Sequence, residues 1–221
     1  MMTSCILTIP YFESKSNLRN REFLICLEHN INNPAIDAII LLCEIPPSSI
    51  ELLNDPKIVI KILKTRPTYH EAFAIAQRYR KRKIGRASNC LIIVANSDII
   101  FDEAVISKAF SRIGKNIAIA LSRWNLTLTS SLTIDAELHN CWDSQDSWFF
   151  LNRIKRGNFK FEIGIPGCDN RLAHELSVSK YRVINPAKSL ITKHLHLTDF
   201  RTYSDSTDRI GPPYKFISIT E

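Results

Sequence analysis

Runs of apolar residues alternate along the chain with stretches in which apolar residues recur every three or four positions. "CILTIPYF", "AIDAIILLCE", "KIVIKIL", "CLIIVANSD" and "NIAIALSRW" read as strands, the second halted by Pro46-Pro47. "NREFLICLEHNIN", between the first two, has helical spacing. A second helix follows the third strand. Thr68 and Glu71 fit a capping box, in which each side chain satisfies an orphan amide of the first turn, and Ala72, Ile75, Ala76 and Tyr79 share one face. A third helix follows the fourth strand. Asp102 is placed to cap it, Val105, Ile106, Ala109, Phe110 and Ile113 form its buried stripe, and Gly114 stops it. Uninterrupted apolar strands separated by helices predict an α/β fold, with a mostly parallel central sheet flanked by helices on both faces.

From Trp124 onward the pattern loosens. Polar stretches, Trp142, Trp148 and the "GIPGCDN" turn point to a sheet extension with loops. A helix is expected from near Asp169, with Leu172, Ala173 and Leu176 inward. "YRVINPAKSLITKHLHL" reads as a final strand region, and the segment after Asp199 is polar. With no repeat, low-complexity segment or linker, one domain over residues 1–221 is expected.

Composition changes this picture little. Of 221 residues, 45% are hydrophobic and 23% charged, enough for a core without disulfide or metal support. No apolar run approaches the roughly 20 residues that span a bilayer. "MMTSCILTIPYFESK" lacks a basic leader and reads as the first strand rather than a signal peptide. The six cysteines are scattered without a C-x-x-C pair, as expected for buried thiols in a reducing cytoplasm. His139 and Cys141 have no second pair at zinc-site spacing.

Charge adds one feature. The net charge of +7 owes much to "RYRKRKIGR", Arg78 to Arg86, which is either a solvated helix end or a patch for phosphates, nucleic acid or an anionic membrane surface. Only Tyr79 interleaves with the basic residues, so a base-stacking platform for nucleic acid is poorly supported. Six glycines, with no G-x-G-x-x-G, no P-loop and no G-x-S-x-G, exclude a glycine-rich phosphate cradle.

The candidate chemistry starts at Asn96-Ser97-Asp98, polar residues that interrupt an apolar run where the fourth strand ends. In open parallel sheets ligands bind beyond the carboxyl ends of strands. Asp102 is the better helix cap, so Asp98 either makes an Asx-turn or faces a cleft and holds a divalent cation. His194 and His196 alternate with Leu195 and Leu197, which puts both imidazoles on one face of a strand. Asp146 lies between Trp142 and Trp148, which are either core indoles or aromatic faces for a sugar ring. Asp169 is either a helix cap or a general base. His29, His70, His139 and His174 read as surface or helix residues.

An apolar strand ending in an Asp-x-Asp-like triplet, four strands into an α/β chain, resembles the metal-binding corner of GT-A-type glycosyltransferases. Asn96 stands where the strict motif has a carboxylate. "TIPYFES" resembles the first wall of the nucleotide site in that superfamily, which implies Pro10 and Tyr11 in nucleotide-sugar binding, Tyr11 toward the base. "LKTRPTYHEAF" puts Arg66 just before a helix N-terminus, where both favour an anion. "IPGCDNRLAHELSVSKYRVINPAKSLITKHLH" resembles the later half of family-2-like members. Asp169 matches the first acid of their acidic pair, Asn170 replaces the second, and His194 or His196 matches the histidine that completes the metal site. The resemblance covers roughly residues 4 to 198. It implies a nucleotide-binding part at about 1–122 and an acceptor part at about 123–221.

What the resemblance implies is a Mn2+- or Mg2+-dependent glycosyltransferase. Asp98, His196 or His194, and Asn96 with Ser97, would hold the metal and the diphosphate of a UDP- or GDP-sugar. Asp169, or its rival Asp146, would be the base toward a glycan or glycolipid acceptor. A cytoplasmic site, with peripheral contact to anionic membrane, fits this reading. The competitors are a sugar-phosphate nucleotidyltransferase and a non-catalytic nucleotide- or nucleic-acid-binding module on the same fold.

Overall fold

A computed structural model describes residues 3–48, 51–85, 88–128, 134–195 and 208–220. The chain opens with β1 (Thr3–Pro10), α1 (Asn17–Asn32), β2 (Ala38–Cys43) and β3 (Ile58–Ile62). Then come α2 (Tyr69–Tyr79), β4 (Asn89–Ala95), the two-residue β5 (Ile99–Ile100), α3 (Glu103–Arg112) and β6 (Ile117–Leu121). β7 (Trp124–Leu128) and β8 (Ile134–Leu138) form a hairpin, followed by β9 (Ser147–Leu151), α4 (Cys168–Val178), β10 (Arg182–Ile184) and β11 (Lys193–Leu195).

Seven strands form the main sheet in the order β10-β6-β9-β4-β1-β2-β3. All neighbours pair in parallel except β9, which runs against both β4 and β6. The fold is therefore mixed α/β with a mostly parallel central sheet, as the apolar strand pattern predicts. Strand alternation sends Leu7, Ile9, Leu41 and Ile93 to one face, where Phe23 and Leu27 of α1 and Val105 and Ile106 of α3 cover them. Ile6, Ile40, Ile92 and Val94 face the other way, onto Ala72 and Phe73 of α2 and Leu172 and Leu176 of α4. Thr68 and Glu71 complete the expected capping box at α2.

Several local expectations need correction. Asp102 occupies the N-cap position of α3 but makes no side-chain cap bond. Its carboxylate instead pairs with Lys193 Nζ at 2.7 Å, the stronger pull from a full charge. The expected final strand region is two short strands in different sheets, because Pro186 and the turn after it break the run. The N-cap of α4 is Gly167, with φ of 83°, so Asp169 sits inside the first turn and is not the cap. Trp148 is core, whereas Trp142 is exposed.

A smaller sheet, β5-β11-β7-β8, lies beyond the carboxyl edge of the main one. β11 pairs with both β5 and β7, and its His194 stands opposite Ile99 on one side and Asn125 on the other. This pairing draws Asp98, His194 and Asn125 together from positions far apart in sequence.

Candidate functional site

The carboxyl ends of β1, β2, β4 and β6 open onto a cleft of about 680 Å3, within the range of small-molecule sites. β9 contributes to the same edge because it is reversed. Its first residue, Ser147, pairs with both Ala95 and Leu121, so Asp146 lies beside the end of β4. The backbone confirms this, with Asn96 N–H donating to Asp146 O at 3.0 Å and Asp146 N–H to Leu121 O at 2.9 Å.

Of the described residues singled out from sequence, Pro10, Tyr11, Arg66, Asn96, Ser97, Asp98, Asp146, Asp169 and His194 line this cleft, and Trp142 and Trp148 do not. His196 lies outside the described residues. Ser97 Oγ donates to Pro10 O, tying the end of β4 to the end of β1. Tyr11 is buried, and its N–H donates to Leu42 O.

Asp98 is a buried ion-pair partner. Its Oδ2 accepts from Arg19 Nη2 at 2.6 Å and from His194 Nε2 at 3.1 Å. Arg19 also donates to Glu22 Oε2 at 2.6 Å, one turn along α1. Burial by itself pushes the Asp98 carboxyl up. The hydrogen bond and charge of His194, then those of Arg19, more than offset it and hold the group well below the usual carboxylate range.

The network continues across the floor of the cleft. His194 Nδ1 lies 3.1 Å from Asn125 Oδ1, which also accepts from Arg123 Nε at 2.9 Å. Arg123 Nη1 grips both oxygens of Asp146 at 3.0 and 3.1 Å, and Asn96 Nδ2 donates to Asp146 Oδ1 at 3.0 Å. Asp146 is thus bound on two sides, by Arg123 and by Asn96.

Asp169 sits in the cleft wall on the first turn of α4. Tyr69, the first residue of α2, donates its hydroxyl to Asp169 Oδ1 at 3.2 Å. Burial, then the charge of Asp146, push the Asp169 carboxyl up to about 7, against the opposing pull of Tyr69. Such a group changes protonation near neutrality, as a general base must.

Arg66 is fixed from behind. Its Nε donates to Ile163 O at 3.1 Å and its Nη2 to Gly164 O at 3.2 Å, and among the described residues no carboxylate pairs with it. Gly164 has φ of 74°, and a Cβ there would stand 3.3 Å from Arg66 Nη2. The loop therefore needs glycine for both backbone and space. Arg209 also lines the cleft, with no carboxylate partner among the described residues.

Sequence reading missed Arg19, Tyr69, Arg123, Asn125 and Arg209. Only the Arg19/Glu22 spacing on α1 was a local signal. His139, read as a surface or helix residue, lines the cleft too.

Among the described residues, which do not include His196, the donors fit a resident dication poorly. Asp98 already carries a guanidinium, Asn96 is neutral, and among the described residues no group of three or more His, Cys, Asp or Glu is placed to share a metal ion.

No family model matches the chain, and no curated protein matches it. Among solved structures it is similar to 4-diphosphocytidyl-2C-methyl-D-erythritol synthase from Anaerococcus prevotii. The identity is 13% and the TM-score 0.39, over 66% of this chain and 70% of that one.

Proposed function

We propose that the cleft binds a nucleotide-diphospho-sugar and that the protein transfers the sugar to an acceptor hydroxyl. The observation that carries this reading is Asp169, a carboxyl pushed up to about 7 in the wall of a cleft that also presents the anchored guanidinium of Arg66. Asp169 takes the proton from the acceptor hydroxyl as its oxygen bonds to the anomeric carbon. The bond from that carbon to the diphosphate oxygen breaks, and the nucleoside diphosphate departs. Arg66 and Arg209 face the charge that grows on it. Tyr11, the residue after β1, contacts the base in this reading.

The acceptor we propose is a glycan or glycolipid. Lys81, Arg82 and Lys83 are exposed beyond α2 and suit contact with anionic lipid, whereas Arg80 turns back to Ser88 O and Asn152 Oδ1. No described helix is long and apolar enough to cross a membrane. Six free thiols, five of them buried, accord with a cytoplasmic setting.

Nucleotidyl transfer onto a sugar phosphate is the second reading. It is favoured by Arg66 and Arg209, unpaired with carboxylates among the described residues and on separate segments, which suits two phosphate-bearing ligands. Two parallel screens separate the readings. One follows nucleoside diphosphate release from UDP-, GDP- and CDP-sugars with an acceptor panel. The other follows pyrophosphate release from nucleoside triphosphates with sugar 1-phosphates. Turnover in the first alone supports glycosyl transfer, turnover in the second alone supports nucleotidyl transfer, and turnover in neither rejects both.

A further inference from the structure

Three observations bear on how the diphosphate is held. First, Arg19 sits on Asp98 Oδ2 at 2.6 Å, the position from which a metal-bound carboxylate would offer its oxygen. Second, the ring of His194 lies between two acceptors. Asn125 Oδ1 is identified as oxygen by the Arg123 N–H that it accepts, so the His194 Nδ1 facing it donates. His194 Nε2 lies 3.1 Å from Asp98 Oδ2. Both ring nitrogens are thus engaged by acceptors within the protein rather than turned toward a metal ion. Third, Asp98 Oδ1 is buried and has no hydrogen-bond partner among the described residues. It adjoins the Arg19 guanidinium, a full positive charge that repels a second cation.

We infer that this cleft holds the diphosphate of its nucleotide ligand through arginine side chains without a divalent cation, Arg19 taking beside Asp98 the place that a dication would fill. The inference rests on the nucleotide-binding reading above. Arg66 makes the main contact. Two of its N–H groups are spent on the carbonyls of Ile163 and Gly164, which fixes the plane of the guanidinium and leaves the rest of its fork for phosphate oxygens. Asp98 and His194 act as positioning residues that hold the floor of the cleft.

The test is calorimetric titration of the full chain with UDP, GDP and CDP, in EDTA and again in Mn2+. The expected result is that the best ligand binds in EDTA with a Kd within about threefold of its value in Mn2+. Arg66→Ala should weaken binding about tenfold or more in both buffers, and circular dichroism checks its fold. Asp98→Asn should leave the EDTA and Mn2+ titrations superimposed. Binding that requires Mn2+, with nothing in EDTA, overturns the inference and leaves the nucleotide reading standing. Binding in neither buffer removes the nucleotide reading, and the inference falls with it.

Discussion

Arg19 stands between two carboxylates, Glu22 with its side chain wholly buried and Asp98 nearly so. Removing one partner of a buried ion pair costs about 3–5 kcal/mol, because the remaining charges lose their compensation. Arg19→Ala should therefore lower stability by roughly that amount in urea denaturation, and adding Glu22→Gln should recover part of it. Asp98 adds an acid dependence. Its folded carboxyl is depressed, so the stability it lends is present above the usual carboxylate range and is lost as pH falls through its folded value. Asp169 has the opposite sign. Its folded carboxyl is raised to about 7, so its contribution is full below the unfolded value near about 3.9 and is lost as pH rises through about 7. Asp169→Asn should thus be more stable than wild type at alkaline pH while turnover stops and nucleotide binding stays. Tyr69→Phe removes a donor that favours the charged carboxylate, so the acid limb of the kcat profile should move to higher pH. An unmoved limb would show that Tyr69 only packs.

At the scale of elements, the loop between β9 and α4 joins the chemistry to the frame. Thr68 bridges to Glu162, Ile163 N–H donates to Pro67 O, and Tyr69 N–H donates to Phe161 O, so the start of α2 is laced to that loop. Gly164→Ala should weaken nucleotide binding through Arg66 and cost about 1–2 kcal/mol, since its backbone is left-handed. Titration and urea curves measured on one preparation would check both. Much of this frame was legible in the sequence. Apolar runs marked β1, β2, β4 and β6, and Thr68 with Glu71 marked the start of α2. β9 was not, because "SWFFL" is a short run among polar residues and its partners lie far earlier in the chain. The corner Asn96 to Asp98 was legible as polar residues at a strand end. Its partner Arg19 was not, being 79 positions away on a helix whose spacing reports only local neighbours. Asn125 and Arg123 escaped for the same reason, since the pairing of β11 with β7 carries no sequence period.

At the scale of the molecule, two sheets share the work. The main sheet supplies strand ends, and the small sheet sets His194 across them. β9 and β10, from beyond residue 122, complete the main sheet. A fragment of residues 1–122 would expose unpaired edges on β4 and β6 and should be insoluble, as a pelleting assay would show. The reversed strand also has a consequence in time. On the ribosome, β4 and β6 emerge first and cannot be joined until residues 147–151 follow. Asn96 and Arg123 meet the carboxylate that links them only at that moment, so the cleft is among the last parts of the nascent protein to take shape.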